Sequence, residues 1–348
     1  MKFKSKYMQL PRAVLVGKDA VLELNSLLED LKLQGRALIL ADETTYKIAG
    51  KKCEEVLKRR HGTVVELIDD ASEIEVERIT ASCEDIDFVV GIGGGKVIDV
   101  AKLASKKSSI EFLSIPTAAS HDGMASSRAS IKGRDGSVSI EAHAPLGVLA
   151  DTKIIKNSPL RLYASGCGDI LSKFTATLDW ELANRVTGEV ISEYSIALSR
   201  MTAKIIMDSS SVVAKRTEEG TRKVVKALIS SGVAMSIAGT SRPGSGSEHK
   251  FSHALDILSP NGGLHGEQCG IGSIMMMHMH GGNWETIRDV LKKIGAPTTA
   301  AELGLDYETI VEALLKAREI RPQRYTILEH IPLDKKSAQS LAEETGVI

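Results

Sequence analysis

Residues 91–102 read GIGGGKVIDVAK. A predicted strand at Asp87–Val90 leads into this stretch, and a helical pattern at 97–106 leaves it. A strand that turns through Gly93, Gly94 and Gly95 into a helix lets backbone approach a pyrophosphate closely. The helix N-terminus adds free N–H groups and the positive end of a dipole. The spacing is not a GxGxxG fingerprint behind the first strand. Nor is it a Walker loop, because Lys96 lacks the Ser/Thr neighbour. Three glycines at such a junction serve equally well as a tight structural turn. Asp99, one turn into the helix, is placed to cap it or to hold a ribose or nicotinamide group.

Working outward, the same alternation continues on both sides. Residues 13–16, 37–41 and 63–68 are short apolar runs of strand length. Between them lie helical patterns: Val21, Leu22, Leu24, Leu27 and Leu28 behind a capping Asp19, then 44–60, then 74–83. Asp42 and Glu43 end the second run. A carboxylate there suits a ribose 2′-hydroxyl and repels a 2′-phosphate, which favours NAD. On the other side, 111–116 is a strand that ends in TAASHDGMASS (117–127). Its small and hydroxyl side chains let a ligand lie across the strand end, where open α/β sheets bind ligands. His121 and Asp122 are its ionisable groups. Residues 128–131 and 137–140 flank a Gly-Arg-Asp-Gly turn and read as a hairpin. Residues 147–150 form one more strand. Near-continuous apolar strands alternating with helices predict a parallel sheet covered on both faces.

Strand patterns stop near residues 155–160. Helical patterns then cover 169–185, 190–208, 218–238, 246–258, 267–280, 284–294 and 307–318. The expected organisation is an α/β dinucleotide-binding domain at 1–157, Rossmann-like, and an all-α domain at 158–348. Met275, Met276 and Met277 lie on an apolar helix as core filler.

The helical half carries a second stretch of interest, SEHKFSHALDILSPNGGLHGEQCG at 247–270. His249 and His253 are four apart and share one helix face. Ser-Pro-Asn-Gly-Gly breaks that helix, and His265 opens the next run. This arrangement can gather imidazoles around one ion, although two histidines at helical spacing serve equally as hydrogen-bonded surface residues. Asp169 follows Gly166-Cys167-Gly168 at what reads as a helix start. It suits a capping role, or that of a carboxylate ligand alongside the histidines. One carboxylate and two imidazoles leave an open position on a tetrahedral ion, as catalytic zinc requires; iron or nickel suits the same donors.

Composition limits the alternatives. Among 348 residues, 43% are hydrophobic and 26% charged, the balance of a soluble globular protein. A net charge of −1 gives no field for nucleic acid or an anionic membrane. MKFKSKYMQLPR has no apolar run behind it, so no secretory signal is expected, and no stretch reaches the roughly 18–20 apolar residues of a membrane span. Cys53, Cys83, Cys167 and Cys269 form no CxxC pair, which fits reduced thiols in a cytoplasm.

GGGKVIDVAK (93–102), SIPTAASHDG (114–123), GCGDILSK (166–173), Asp179-Trp180 and the two His-bearing segments occur in one order. In that order the chain resembles the glycerol dehydrogenase, iron-containing alcohol dehydrogenase and dehydroquinate synthase superfamily along nearly its whole length. TAASHDG, GSEHKFSHALD and LHGEQ resemble its sn-glycerol-1-phosphate dehydrogenase branch. The resemblance implies a dehydroquinate synthase-like fold and an NAD(P)-dependent enzyme that interconverts dihydroxyacetone phosphate and sn-glycerol 1-phosphate on one zinc ion per subunit. It implies metal ligands at Asp169, His249 and His265, substrate contacts at Asp122 and His253, and catalysis by Asp169, His249, His265 and His253. Dinucleotide contacts are implied at Gly93, Gly94, Gly95, Lys96, Val97, Ile98, Asp99, Thr117, Ala118, Ala119, Ser120 and Ser126, beside Asp42. His253 is also placed to join the metal. Arg128, Lys132 and Lys173 are candidate phosphate contacts. A cytoplasmic homo-oligomer making the backbone of archaeal ether lipids is the expectation. Glycerol dehydrogenase and an inactive metal- or nucleotide-binding protein are the alternatives.

Overall fold

The computed structural model describes residues 8–133, 136–260 and 262–348. The N-terminal heptapeptide, the hairpin tip Arg134-Asp135, and Asn261 of the helix-breaking Ser-Pro-Asn-Gly-Gly lie outside the described residues.

Six parallel strands form the main sheet: β1 (Ala13–Gly17), β2 (Arg36–Ala41), β3 (Gly62–Leu67), β4 (Phe88–Gly93), β5 (Glu111–Pro116) and β8 (Gly147–Asp151). Their spatial order is β1-β8-β5-β4-β2-β3. β6 (Arg128–Gly133) and β7 (Gly136–Glu141) make the expected antiparallel hairpin as a separate two-stranded sheet. The central strands are apolar on both faces because both are covered. Ile39, Phe88, Val90 and Leu113 pack on one side. Leu38, Leu40, Val89 and Phe112 pack on the other. The covering elements include α1 (Leu24–Asp30), α2 (Lys51–Leu57), α3 (Glu73–Ala81) and α4 (Gly95–Lys107). Ser72 caps α3 by accepting the Glu75 N–H, whereas Asp19 caps nothing. Asp19 itself takes a left-handed conformation at φ 57°, and its carboxylate pairs with Lys153 instead. A side chain at Gly91 would meet Ala101 and Phe112 at 2.9 Å, so this glycine lets α4 lie close against the sheet.

From Thr152 onward the described residues contain helices and no strand. The long ones are α5 (Leu160–Leu171), α6 (Lys173–Thr187), α7 (Glu193–Asp208), α8 (Glu218–Ala238), α9 (Ser247–Leu258), α10 (His265–Met279), α11 (Trp284–Ile294), α12 (Tyr307–Ala317) and α13 (Lys335–Glu344). Met275, Met276 and Met277 are buried in the helical core, as filler. That core reaches the sheet through Ala119, Met124, Val148 and Ala150. Among the described residues, no helix is long and apolar enough to cross a membrane. All four cysteines are free and buried.

Candidate active site

Two cavities open beyond the carboxyl ends of the strands. The larger, about 850 Å³, is lined by residues at or just past the carboxyl ends of β1, β2, β4, β5 and β8: Asp19, Asp42, Gly94, Thr117, Ala118 and Asp151 are on its wall. Asp42 accepts the Thr45 N–H at 2.8 Å and pairs with Lys96 Nζ at 3.2 Å. Burial would raise its carboxyl, but the Thr45 and Lys96 hydrogen bonds hold it below the usual range. Of the expected dinucleotide contacts, Asp42, Gly94, Thr117 and Ala118 line this cavity. Gly93 packs against Val97, and Val97 and Ile98 are buried beneath the turn. Gly95 faces His121, whose Nε2 would lie 2.1 Å from any Cβ there. Ala119 and Ser120 seat the loop on α5: a side chain at Gly166 would meet the Ala119 carbonyl at 2.0 Å, and the Ser165 hydroxyl donates to the Ser120 carbonyl at 3.1 Å. Asp99 and Ser126 face the other cavity. Asp99 does not cap a helix; it accepts the Ser130 N–H at 2.9 Å and lies 3.4 Å from buried Lys102.

The smaller cavity, about 300 Å³, is lined by His121, Asp122, His249, His253 and His265 with two arginines. The loop after β5 thus walls both cavities, Thr117 and Ala118 on one and His121 and Asp122 on the other. Asp169 does not open a helix; it sits in the last turn of α5, fully buried, just before that helix ends at Ser172. Its Oδ2 accepts the Asp122 N–H at 2.9 Å, and its Oδ1 accepts from Lys173 Nζ at 2.6 Å and lies 3.8 Å from His249 Nε2. Burial, the largest single influence, would raise the Asp169 carboxyl; the Lys173 charge, the His265 charge and the hydrogen bonds from Lys173 and the Asp122 N–H together outweigh it and hold the group below the usual carboxylate range. Lys173 also reaches Asp122 Oδ2 and the Gly244 carbonyl, each at 3.1 Å. Its donors are therefore engaged within the protein, which removes it as a phosphate contact. Lys132 is exposed and pairs with Asp70, away from this cavity.

α9 and α10 bring the histidines together. The His249 and His265 rings meet edge-on with centroids 4.9 Å apart, and His253 is 6.2 Å from His265. Burial holds His249 well below the ordinary histidine value and pulls His265 down to about 4, so both imidazoles are neutral near neutral pH. The ligand atoms of His249, His265 and Cys269 lie within 4.8 Å of one another. Two neutral imidazoles, an ionised carboxylate with lone pairs to spare and an adjacent thiol form a donor set that suits a divalent transition ion.

Behind His249 stands Glu248, fully buried. Its Oε1 accepts from His249 Nδ1 and from the Gly246 N–H, both at 2.7 Å, and its Oε2 accepts the Thr175 hydroxyl. Burial and the neighbouring Asp179 charge push this carboxyl up to about 7. When Glu248 is ionised, this hydrogen bond places the His249 proton on Nδ1 and leaves the Nε2 lone pair facing Asp169. Sequence reasoning passed over Glu248, Cys269 and Arg321. Cys269 lies one helical turn after His265, a spacing open to reading. Glu248 and Arg321 carry no spacing signal, because their roles come from neighbours distant in sequence.

A family model described as iron-containing alcohol dehydrogenase matches residues 15–159. The chain is 52% identical over 341 residues to a glycerol-1-phosphate dehydrogenase [NAD(P)+] of Methanoculleus marisnigri, covering 98% of this chain and 94% of that protein. It is 53% identical to the protein of that name from Methanosarcina acetivorans, over 100% of this chain and 98% of that one. Among solved structures it is similar to a glycerol dehydrogenase of Schizosaccharomyces pombe, with TM-score 0.82, 20% identity, and coverage of 99% of this chain and 91% of that one. A maleylacetate reductase of Agrobacterium tumefaciens follows at TM-score 0.75 and 14% identity, over 99% and 98% of the two chains. At those identities the solved structures speak to the fold alone, whereas the full-length relatives speak to kinship: the chain belongs to the glycerol-1-phosphate dehydrogenase family.

Proposed function

We propose that this chain reduces dihydroxyacetone phosphate to sn-glycerol 1-phosphate, reversibly, using NADH or NADPH and a zinc ion held by Asp169, His249 and His265. The observation that carries this reading is the loop 117–127, which walls a dinucleotide-sized cleft on one side and the buried donor cluster on the other. A bound dinucleotide supplies the hydride, and a divalent ion at the donor cluster withdraws charge from a ketone carbonyl. The chain's own residues set the geometry. The α4 N-terminus at Gly94 offers free N–H groups to a pyrophosphate, and Asp42 accepts from a ribose hydroxyl. Lys173 fixes Asp169 and Asp122 against each other. Because Asp122 is already taken by Lys173 and the Ser231 hydroxyl, His253 is the better proton carrier of the two. Its Nε2 accepts from Arg321 at 3.3 Å, so its proton rests on Nδ1, 3.8 Å from Asp256.

The same reading places the enzyme in the cytoplasm as a homo-oligomer, divided near residue 157 into dinucleotide- and metal-binding parts, at the first step toward an ether-lipid backbone. The deciding experiment follows NADH and NADPH oxidation with dihydroxyacetone phosphate beside dihydroxyacetone, before and after chelation with zinc restored. Phosphate-dependent, zinc-restored turnover yielding the sn-1 enantiomer supports the proposal. Turnover confined to the unphosphorylated ketone transfers the assignment to glycerol dehydrogenase.

A further inference from the structure

Lys102 lies two turns into α4 and is fully buried. Its ammonium donates to the Gly123 carbonyl at 2.7 Å and to the Arg128 carbonyl at 2.5 Å, and lies 3.4 Å from Asp99 Oδ1. Asp99 Oδ2 in turn accepts the Ser130 N–H at 2.9 Å. One pair on α4, three residues apart, therefore holds both the turn after β5 and the start of β6. Burial pulls the Lys102 ammonium below the usual lysine range, against the charges of Asp99 and Asp122. An aliphatic side chain would fill the same space without that cost, so what the ammonium adds is the hold on two carbonyls.

The same turn is gripped from the other half of the chain. Lys173 of α6, also fully buried, reaches Asp122 Oδ2 and Asp169 Oδ1, while the Asp122 N–H donates to Asp169 Oδ2. Two buried ammonium groups thus meet neighbouring residues, Lys102 on Gly123 from the sheet side and Lys173 on Asp122 from the helical side. α4 itself begins at the wall of the larger cavity, just after Gly94. Lys102 lines neither cavity.

We propose that Lys102 is a positioning residue that couples the two cavities. It ties the helix that seats the dinucleotide to the turn that bonds Asp169, and so sets where the nicotinamide stands relative to the donor cluster. This rests on the reading under Proposed function. Ordering the N-terminus of α4 orders the Asp122-Gly123 turn through the ammonium, and with it the Asp169 carboxylate. Ligands at the two ends then favour one arrangement, and each tightens the other by the same factor.

The test measures zinc affinity by chelator competition, with and without saturating NADH, in wild type, K102M and K102Q, with folding checked by circular dichroism. NADH should tighten zinc roughly 5- to 50-fold in wild type, by less than about 3-fold in K102M and to an intermediate degree in K102Q, which keeps an N–H donor of shorter reach. Turnover of the zinc-loaded K102M should fall roughly 10- to 100-fold in kcat with little change in KM for NADH, as misplacement without lost binding requires. A third readout needs no variant and decides the matter if neither variant folds. Ala129 and Ser130 line the smaller cavity and not the larger, so NADH added to zinc-free wild type should slow amide exchange along β6. Equal coupling and equal kcat in wild type and K102M overturn the role of Lys102 and leave the reaction standing, as does a wild type that binds both ligands without coupling or with β6 exchange unchanged by NADH. A wild type that binds no zinc or no NADH overturns the reading under Proposed function, and this inference with it.

Discussion

Glu248 shows what a single buried group contributes to a site it does not touch directly. Its carboxylate fixes the His249 tautomer, so replacing it acts on the ligand's orientation as well as on packing. E248Q retains an oxygen acceptor for the Nδ1 proton, whereas E248L removes it. We expect zinc affinity, measured by competition with a chromophoric chelator, to fall about 10- to 100-fold in E248L and less in E248Q. Equal affinities in the two variants and wild type would sink the orienting role. His143 offers a separate test through pH. Its Nε2 lies 3.1 Å from the Ser105 hydroxyl, and burial, then Lys106 and Lys102, hold its pKa below the ordinary histidine value. The unfolded chain therefore takes up a proton near pH 6.5 that the folded chain refuses. The stability associated with a neutral His143 is present above that pH and is lost as the pH falls through the folded value. Urea unfolding between about pH 7.5 and about pH 5 should show a shallower decline in H143Q than in wild type. Identical slopes would show that His143 is not held neutral.

At the scale of elements, the strands were legible because burial on both faces writes itself as continuous apolar runs, and 37–41 and 111–116 match β2 and β5 closely. The start of the Asp169 helix was not. Gly166 and Gly168 read as breakers ahead of a new helix, yet they lie inside α5. Their purpose is close approach: a Cβ on Gly168 would stand 2.2 Å from the Gly266 carbonyl, and one on Gly266 would stand 1.9 Å from the Ser165 carbonyl. The actual break, at Ser172, is marked by side chains that return to the backbone. The Ser172 hydroxyl donates to the Asp169 carbonyl, and the Thr175 hydroxyl donates to the Ser172 carbonyl. Helix periodicity carries no trace of either effect. Backbone cannot yield as a flexible side chain can, so G266A must part α5 from α10, the helices that carry Asp169 and His265. We expect a loss of about 1–3 kcal/mol in denaturant unfolding together with weaker zinc binding. A stable G266A with unchanged zinc affinity would mean that the two helices tolerate separation and that the glycine contact does not set the donor spacing.

At the scale of the molecule, the proposed ligands sit on α5, α9 and α10, separated by up to 96 residues of chain, so spacing alone offers each of them a bland role as well, and it is the family resemblance that groups them as one ligand set. Folding brings them together because α10 packs on both α5 and α9, while the loop after β5 presses Asp122 onto Asp169. An ion at this point would tie the three helices to one another and, through Asp122, to the sheet. A ligand that binds only the folded state stabilises it by RT ln(1 + [L]/Kd), about 2.7 kcal/mol when free ligand exceeds Kd a hundredfold. Zinc added to chelated wild type at that excess should therefore raise the thermal midpoint by roughly 5 °C. The shift should vanish in H249A and H265A, whose imidazoles are the neutral nitrogen donors, and shrink in D169N, whose amide keeps an oxygen but not the charge. Differential scanning calorimetry with and without zinc reads all four proteins on one scale. If the three variants retain the full wild-type shift, the stabilising ion binds elsewhere, and the donor cluster between α5, α9 and α10 is not the metal centre.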